Sequence, residues 1–246
     1  NVGSAAAAGV AGGGIETLSL VASGETSSIA SLGSGATTIN VDADAQLTVS
    51  AFSGTAITTL NAGESSSTVS FNVGGNIGAN VFAYTGSAGA DTLISTTGFA
   101  GTDSIAGGDG ADTFSIRPAG GAADITAAGA LNASSATVFS GFETLDMRSA
   151  AGNAVDFTVD MDTMPGVTAI NLRTANTDAG GAIFTLNDLT ATQAGAITVL
   201  HTGTDADTDS EVIVDMKTDT AADTVTVTAT TSLADQVVQV NDANNN

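Results

Sequence analysis

Cysteine and tryptophan are absent from this 246-residue chain. Without cysteine there is no disulfide framework to read, and the redox compartment stays open. Cations are almost as scarce. One lysine (Lys217) and three arginines (Arg117, Arg148, Arg173) face 26 acidic residues, for a net charge of −22. Little is left to neutralise phosphates, so nucleic-acid binding is opposed, and docking on an anionic bilayer through basic residues is disfavoured. The natural partners of such a chain are cations, which relieve its self-repulsion. No apolar run approaches the ~18–20 residues needed to cross a bilayer. The chain starts at Asn1 without a charged leader and apolar stretch, so it reads as an internal or proteolysed piece of something longer.

High charge with low hydrophobicity would predict disorder. Here 42% of residues are hydrophobic and the mean hydropathy is +0.26, so a folded chain is expected. Much of that content is alanine. The core should therefore be thin, built from Val, Ile, Leu and nine Phe, with Tyr84 the one tyrosine.

What is present is short alternating β-branched segments between clusters of Gly, Ala, Ser, Thr, Asn and Asp. Residues 15–21, 37–41, 46–52, 67–73, 153–160, 167–173, 195–200, 210–216 and 223–230 have the period of two expected of half-buried strands. Helical periodicity is nearly absent, except around 123–131 and at 187–195, where Asn187 or Asp188 could cap one or two turns. Phrases also recur. GIETLSL (14–20) and GFETLDM (141–147) share Gly-apolar-Glu-Thr-Leu, and TAADTVTV (220–227) echoes the Ala-Asp-Thr-apolar core of two segments further upstream. Recurrence at several scales favours stacked coils over one globular sandwich.

The strongest signal lies in the middle. GSAGADTLI (86–94), GFAGTDSIA (98–106) and GGDGADTFS (107–115) each approximate G-G-x-G-x-D-x-U-x, with U apolar. This is the repeat of calcium-binding parallel β-helices. Glycines allow positive φ and let carbonyls face a shared cation. Asp91, Asp103 and Asp112 supply hard carboxylate oxygens. Leu93, Ile105 and Phe114 should point inward. Consecutive nonapeptides alternate sides of such a roll, so the first should stack on the third. The second needs a partner after it, expected in the degraded copy GGAAD (120–124). The candidate calcium ligands are thus Gly86, Ala88, Gly89 and Asp91; Gly98, Ala100, Gly101 and Asp103; Gly107, Asp109, Gly110 and Asp112; and Asp124. Gly-Asp pairs also form ordinary turns, but three copies with the apolar residue in phase favour calcium.

Other acids are less specific. Asp205, Asp207 and Asp209 alternate in a run ending at Glu211; they are candidate calcium ligands or a solvated loop, without the turn glycine and distant glutamate of an EF-hand. Glu25, Asp42, Asp44 and Glu64 read as surface groups or as unassigned ligands. Glu16 and Glu143, each at the start of a strand, could bind backbone amides of the next coil or a metal, and the structural role is the favoured one. His201 is the lone histidine, and neither a zinc-binding His pair nor a G-x-S-x-G elbow occurs. No catalytic constellation is visible, and none is expected.

These motifs resemble repeats-in-toxin (RTX) proteins, which are exported by type I secretion and folded by extracellular calcium. The Ala/Gly/Thr/Ser/Val-rich composition, the scarcity of Lys and Cys, and the phrases above resemble surface-layer (S-layer) proteins of Gram-negative bacteria. The resemblance implies an all-β, calcium-stabilised parallel β-solenoid with irregular β segments. Its nonapeptide block would span 86–124, between solenoid-like segments at 1–85 and 125–246. It further implies a secreted, non-enzymatic surface protein that binds Ca2+ and associates with itself and with outer-surface polysaccharide. A large RTX adhesin, or the C-terminal part of a secreted hydrolase, are the alternatives.

Overall fold

The computed structural model describes residues 16–54, 56–74, 77, 81–96, 99, 103–118, 138–148, 156–174, 182–201, 211–218, 224–229 and 237–241. In chain order the strands begin with β1 (Thr17–Ala22), β2 (Ser27–Ile29), β3 (Leu32–Ser34), β4 (Thr38–Ala43), β5 (Leu47–Val49), β6 (Phe52–Gly54) and β7 (Thr59–Asn61). They continue with β8 (Val69–Gly74), β9 (Ala83–Thr85), β10 (Thr92–Ser95), β11 (Ser104–Ala106), β12 (Thr113–Ile116), β13 (Val138–Ser140) and β14 (Thr144–Arg148). The last are β15 (Phe157–Asp160), β16 (Ala169–Thr174), β17 (Ile183–Leu189), β18 (Ile197–His201), β19 (Glu211–Met216), β20 (Val227–Ala229) and β21 (Val237–Asn241).

Every strand pairing among the described residues is parallel. Non-consecutive strands neighbour one another, which is the signature of a chain wound into stacked coils. A nine-stranded sheet, β2-β5-β8-β10-β12-β14-β16-β18-β20, runs through the stack. A six-stranded sheet, β1-β4-β7-β9-β11-β13, serves the earlier coils; a four-stranded one, β15-β17-β19-β21, serves the later coils. Strands β3 and β6 pair separately. The protein is an all-β parallel solenoid, as the sequence led one to expect, and the nine-stranded sheet crosses all three segments without a break.

Period-2 patterning explains the packing. Alternate residues of β4 (Ile39, Val41, Ala43) and β8 (Val69, Phe71, Val73) are buried, while those between face outward. Parallel in-register coils then place like side chains above one another. Leu93 lies against Phe71 on one side and Phe114 on the other, and Phe114 against Leu145. The phenylalanines fill the interior. Phe114 and Phe139 have ring centroids 5.0 Å apart, and Phe157 stacks on Phe184 at 5.1 Å. Such contacts supplement area burial in a core otherwise made chiefly of Val, Ile, Leu and Met.

Two sequence expectations change. The short helix, α1 (Ala191–Ala194), is capped by Thr190, whose hydroxyl and Gln193 form a reciprocal capping box. Asn187 and Asp188 instead belong to the end of β17, where a register shift lets two residues oppose one. The segment at 46–52 is two strands, β5 and β6, because the solenoid turns a corner between Val49 and Phe52. The expected helical stretch at 123–131 lies outside the described residues.

Candidate metal centre at the nonapeptide corner

The nonapeptides form corners. The first turn leads from β9 into β10, and the third from β11 into β12. Thr92 pairs with Thr113 and Leu93 with Phe114, so the first nonapeptide does stack on the third. The register advances 21 residues, because Ser95-Thr96-Thr97 is absorbed within that coil. Leu93, Ile105 and Phe114 are all buried in the core. Strand β11 of the second nonapeptide pairs with β9 and with β13 (Val138–Ser140), and the partner turn expected at 120–124 lies outside the described residues. The following coil is longer, advancing 31 residues from Thr113 to Thr144, so the next strand on that side arrives later in the sequence. Gly98, Ala100, Gly101, Asp124, Asp205, Asp207 and Asp209 lie outside the described residues.

The motif aspartates have a common task. Asp91 Oδ1 accepts the Val69 N–H at 2.8 Å, and the Asp91 carboxylate also takes the Ser87 N–H and hydroxyl. Asp91 donates its own N–H to Asp112 Oδ1 at 2.7 Å. Asp112 in turn donates its N–H to Glu143 Oε2 at 2.7 Å. On the opposite side, Asp103 Oδ1 accepts the Phe82 N–H. Each carboxylate thus caps a backbone N–H just before, or at the start of, a strand on the preceding coil, a group that would otherwise be buried without a partner. Glu143, the glutamate of the second Gly-apolar-Glu-Thr-Leu phrase, closes this ladder. Ser65 does similar work one coil earlier, accepting the Ala43 N–H and donating to the Val41 carbonyl.

The ladder is crowded with negative charge. Asp91 and Asp112 are 1% and 0% exposed. Burial raises the Asp91 pKa. Burial, with Asp91, Glu143 and Asp109 nearby, pushes Asp112 up to about 6. Tyr84, buried beneath the corner, is raised well above its ordinary value by burial and by the same two aspartates. Two buried oxygens here have no hydrogen-bond partner, the Tyr84 hydroxyl and Asp112 Oδ2.

Two glycines show what stands beside the Asp112 oxygen. A Cβ on Gly107 would lie 1.9 Å from the Gly141 carbonyl oxygen and 2.7 Å from Asp112 Oδ2. A Cβ on Gly86 would lie 1.6 Å from the Gly107 carbonyl oxygen and 2.7 Å from Asp91 Oδ2. In both coils a carboxylate oxygen and a carbonyl oxygen lie within 3 Å of the point a Cβ would occupy, a close approach that only glycine permits. An all-oxygen set with one orphaned carboxylate oxygen suits a hard cation. Of the remaining candidates, Gly89 passes close to the Ser67–Thr68 backbone and Gly110 close to the Gly89 carbonyl. Ala88 N donates to the Ser65 carbonyl, and Asp109 is exposed at the turn.

A second acidic group was not singled out from sequence. Asp160, Asp162 and Asp188 each bring a carboxylate oxygen within 4.8 Å of the others, a group that could hold a metal ion. Asp160 is buried, and burial raises its pKa. The 3-10 turn at Met161–Thr163 positions Asp162, whose N–H bonds Asp160 Oδ1 at 2.9 Å. The register shift in β17 places Asp188 at φ +56°. Lys217 Nζ already contacts Asp162 Oδ1 and Oδ2 at 2.5 and 2.7 Å, so an ammonium supplies positive charge there. The available signal was the Asp-x-Asp pair with Asp188 one coil later, visible only once the coil length is known.

Among the described residues no helix is long and apolar enough to cross a membrane. No protein family, no curated protein and no solved structure matches this chain.

Proposed function

We propose that this chain is a structural, non-enzymatic segment of a secreted, calcium-dependent surface-layer protein related to the repeats-in-toxin class. The observation that carries the reading is the orphaned, buried Asp112 Oδ2 beside the Gly141 carbonyl, in a corner where Asp91, Asp112 and Glu143 are linked end to end. Asp112, Asp91 and the Gly107 and Gly141 carbonyls would hold Ca2+. The ion would supply the positive charge that lets neighbouring buried carboxylates stay ionised together.

The rest is work of the chain. Ionised Asp91, Asp112 and Glu143 are better acceptors for the N–H groups of adjacent coils than protonated ones. Closing those bonds fixes the corners, and fixed corners set the register in which Leu93, Phe114 and Leu145 stack. Folding free energy is thereby coupled to calcium concentration. A chain kept loose where calcium is scarce and ordered where it is plentiful suits export before folding. Neutralising a surface of charge −22 also lowers repulsion between copies.

The test uses the full chain, stripped with a chelator and returned to millimolar calcium. Far-UV circular dichroism should show β structure gained with calcium. Electron microscopy should show sheets or filaments of the calcium-loaded protein. An unchanged spectrum and no calcium uptake by calorimetry would refute calcium-dependent folding; persistent monomers in calcium would refute assembly.

A further inference from the structure

Three of the four cations of this chain converge on one carboxylate. On the outward face of the nine-stranded sheet, Arg148 pairs in register with Arg173, and Arg117 follows Ile116, the partner of Met147. The three arginines therefore form a ladder across successive coils, with rungs at the ~4.8 Å strand spacing. Asp146 lies at its base with its side chain 5% exposed. Arg173 Nε bonds Asp146 Oδ1 at 2.8 Å and Arg148 Nε bonds Asp146 Oδ2 at 3.0 Å. Arg117 Nη2 approaches Oδ2 at 3.8 Å, and its Nε donates to Ser115 Oγ, which donates to Oδ2 at 3.0 Å.

Asp146 is thus fully engaged, yet it answers only one of three positive charges. Among the described residues it is the only acidic group paired with these arginines, so two charges are uncompensated. Burial and then repulsion from Arg148 lower the pKa of the Arg117 guanidinium. Each side chain remains 36–38% exposed, within reach of a solute. Anchoring Asp146 needs one arginine, and stacking three costs repulsion. In a chain of charge −22, such a concentration of scarce cations marks a site for an anion. A shallow cavity of ≈ 130 Å3 beside Arg173 is lined also by Asn171, Leu172, Thr198 and Leu200, so amide and hydroxyl groups adjoin the ladder.

We propose that the Arg117–Arg148–Arg173 ladder binds a dianionic oxyanion of the phosphomonoester or sulfate class. Two negative charges match the two uncompensated positive ones, and a tetrahedral oxyanion offers an acceptor oxygen to each guanidinium fork. A planar monocarboxylate offers one charge and two oxygens.

The test is calorimetric titration of the calcium-loaded full chain with sulfate, with glucose 6-phosphate and with acetate at constant ionic strength. Both dianions should bind saturably and acetate at least about tenfold more weakly. Arg148→Gln should weaken dianion binding about tenfold with an unchanged circular dichroism spectrum. If that variant does not fold, Arg117→Gln serves, because Arg117 is the least tied to Asp146. Equal binding of sulfate and glucose 6-phosphate identifies a simple oxyanion site; tighter binding of the sugar phosphate extends it over Asn171 and Thr198. Absence of saturable dianion binding, acetate binding as tightly, or undiminished binding by the folded variants would overturn the proposal.

Discussion

Replacing Asp112 by asparagine should make the calcium-free protein more stable at neutral pH. Asp112 has an ordinary carboxyl pKa near 3.8 when unfolded and about 6 in the folded corner. Between those values the folded state binds more protons than the unfolded one. Stability therefore falls as pH rises through that window, and the loss is complete above pH ~6. A difference of that size corresponds to about 3 kcal/mol, large against the 5–15 kcal/mol typical of a domain. The amide has no charge to bury, and its oxygen still accepts the Asp91 N–H. Its NH2 group can meet the Gly141 carbonyl, where the carboxylate had an unanswered oxygen. Urea denaturation of chelated wild type and D112N from pH 4 to pH 8 checks this. The two should agree near pH 4, and the variant should lead by about 3 kcal/mol at pH 7. Millimolar calcium should reverse the order, stabilising wild type and leaving D112N nearly unmoved. A gap that does not change with pH, or a variant weaker than chelated wild type at pH 7, would refute the reasoning.

Three further outcomes follow from the same corner and its neighbour. Gly107→Ala drives a Cβ to 1.9 Å from a backbone carbonyl of the next coil, so loss of folded β signal in circular dichroism is expected with or without calcium. Asp91→Ala removes the acceptor of the Val69 and Ser87 N–H groups and should cost about 4 kcal/mol in denaturation experiments. Asp91→Asn, which keeps an oxygen for Val69, should cost less than half of that. Lys217→Met removes the ammonium from Asp162, so terbium luminescence should report tighter lanthanide binding at Asp160, Asp162 and Asp188, with little change in melting temperature.

The solenoid was legible because its causes are local. Alternating apolar residues in β4 and β8 and three phased nonapeptides point to parallel stacking, and Thr92 over Thr113 realises it. The partner of β11 was not legible, since a coil of 31 residues carries no periodic mark of its length. Motif logic treats the aspartates purely as cation ligands. In the folded chain they are first acceptors for backbone N–H groups, a role set by where the preceding coil ends. The acidic group at Asp160, Asp162 and Asp188 depends on a register shift in β17. The arginine ladder illustrates the same limit: counting four cations argues against nucleic-acid binding and says nothing of where they lie, whereas the register of β12, β14 and β16 gathers three of them on one face.

A crystal structure grown in millimolar calcium, with anomalous scattering recorded, tests the central claim most directly. The account predicts an ion at about 2.3–2.6 Å from Asp112 Oδ2, with the Gly141 carbonyl among its ligands. A water molecule there, or a protonated Asp112 donating to that carbonyl with calcium in excess, would contradict it.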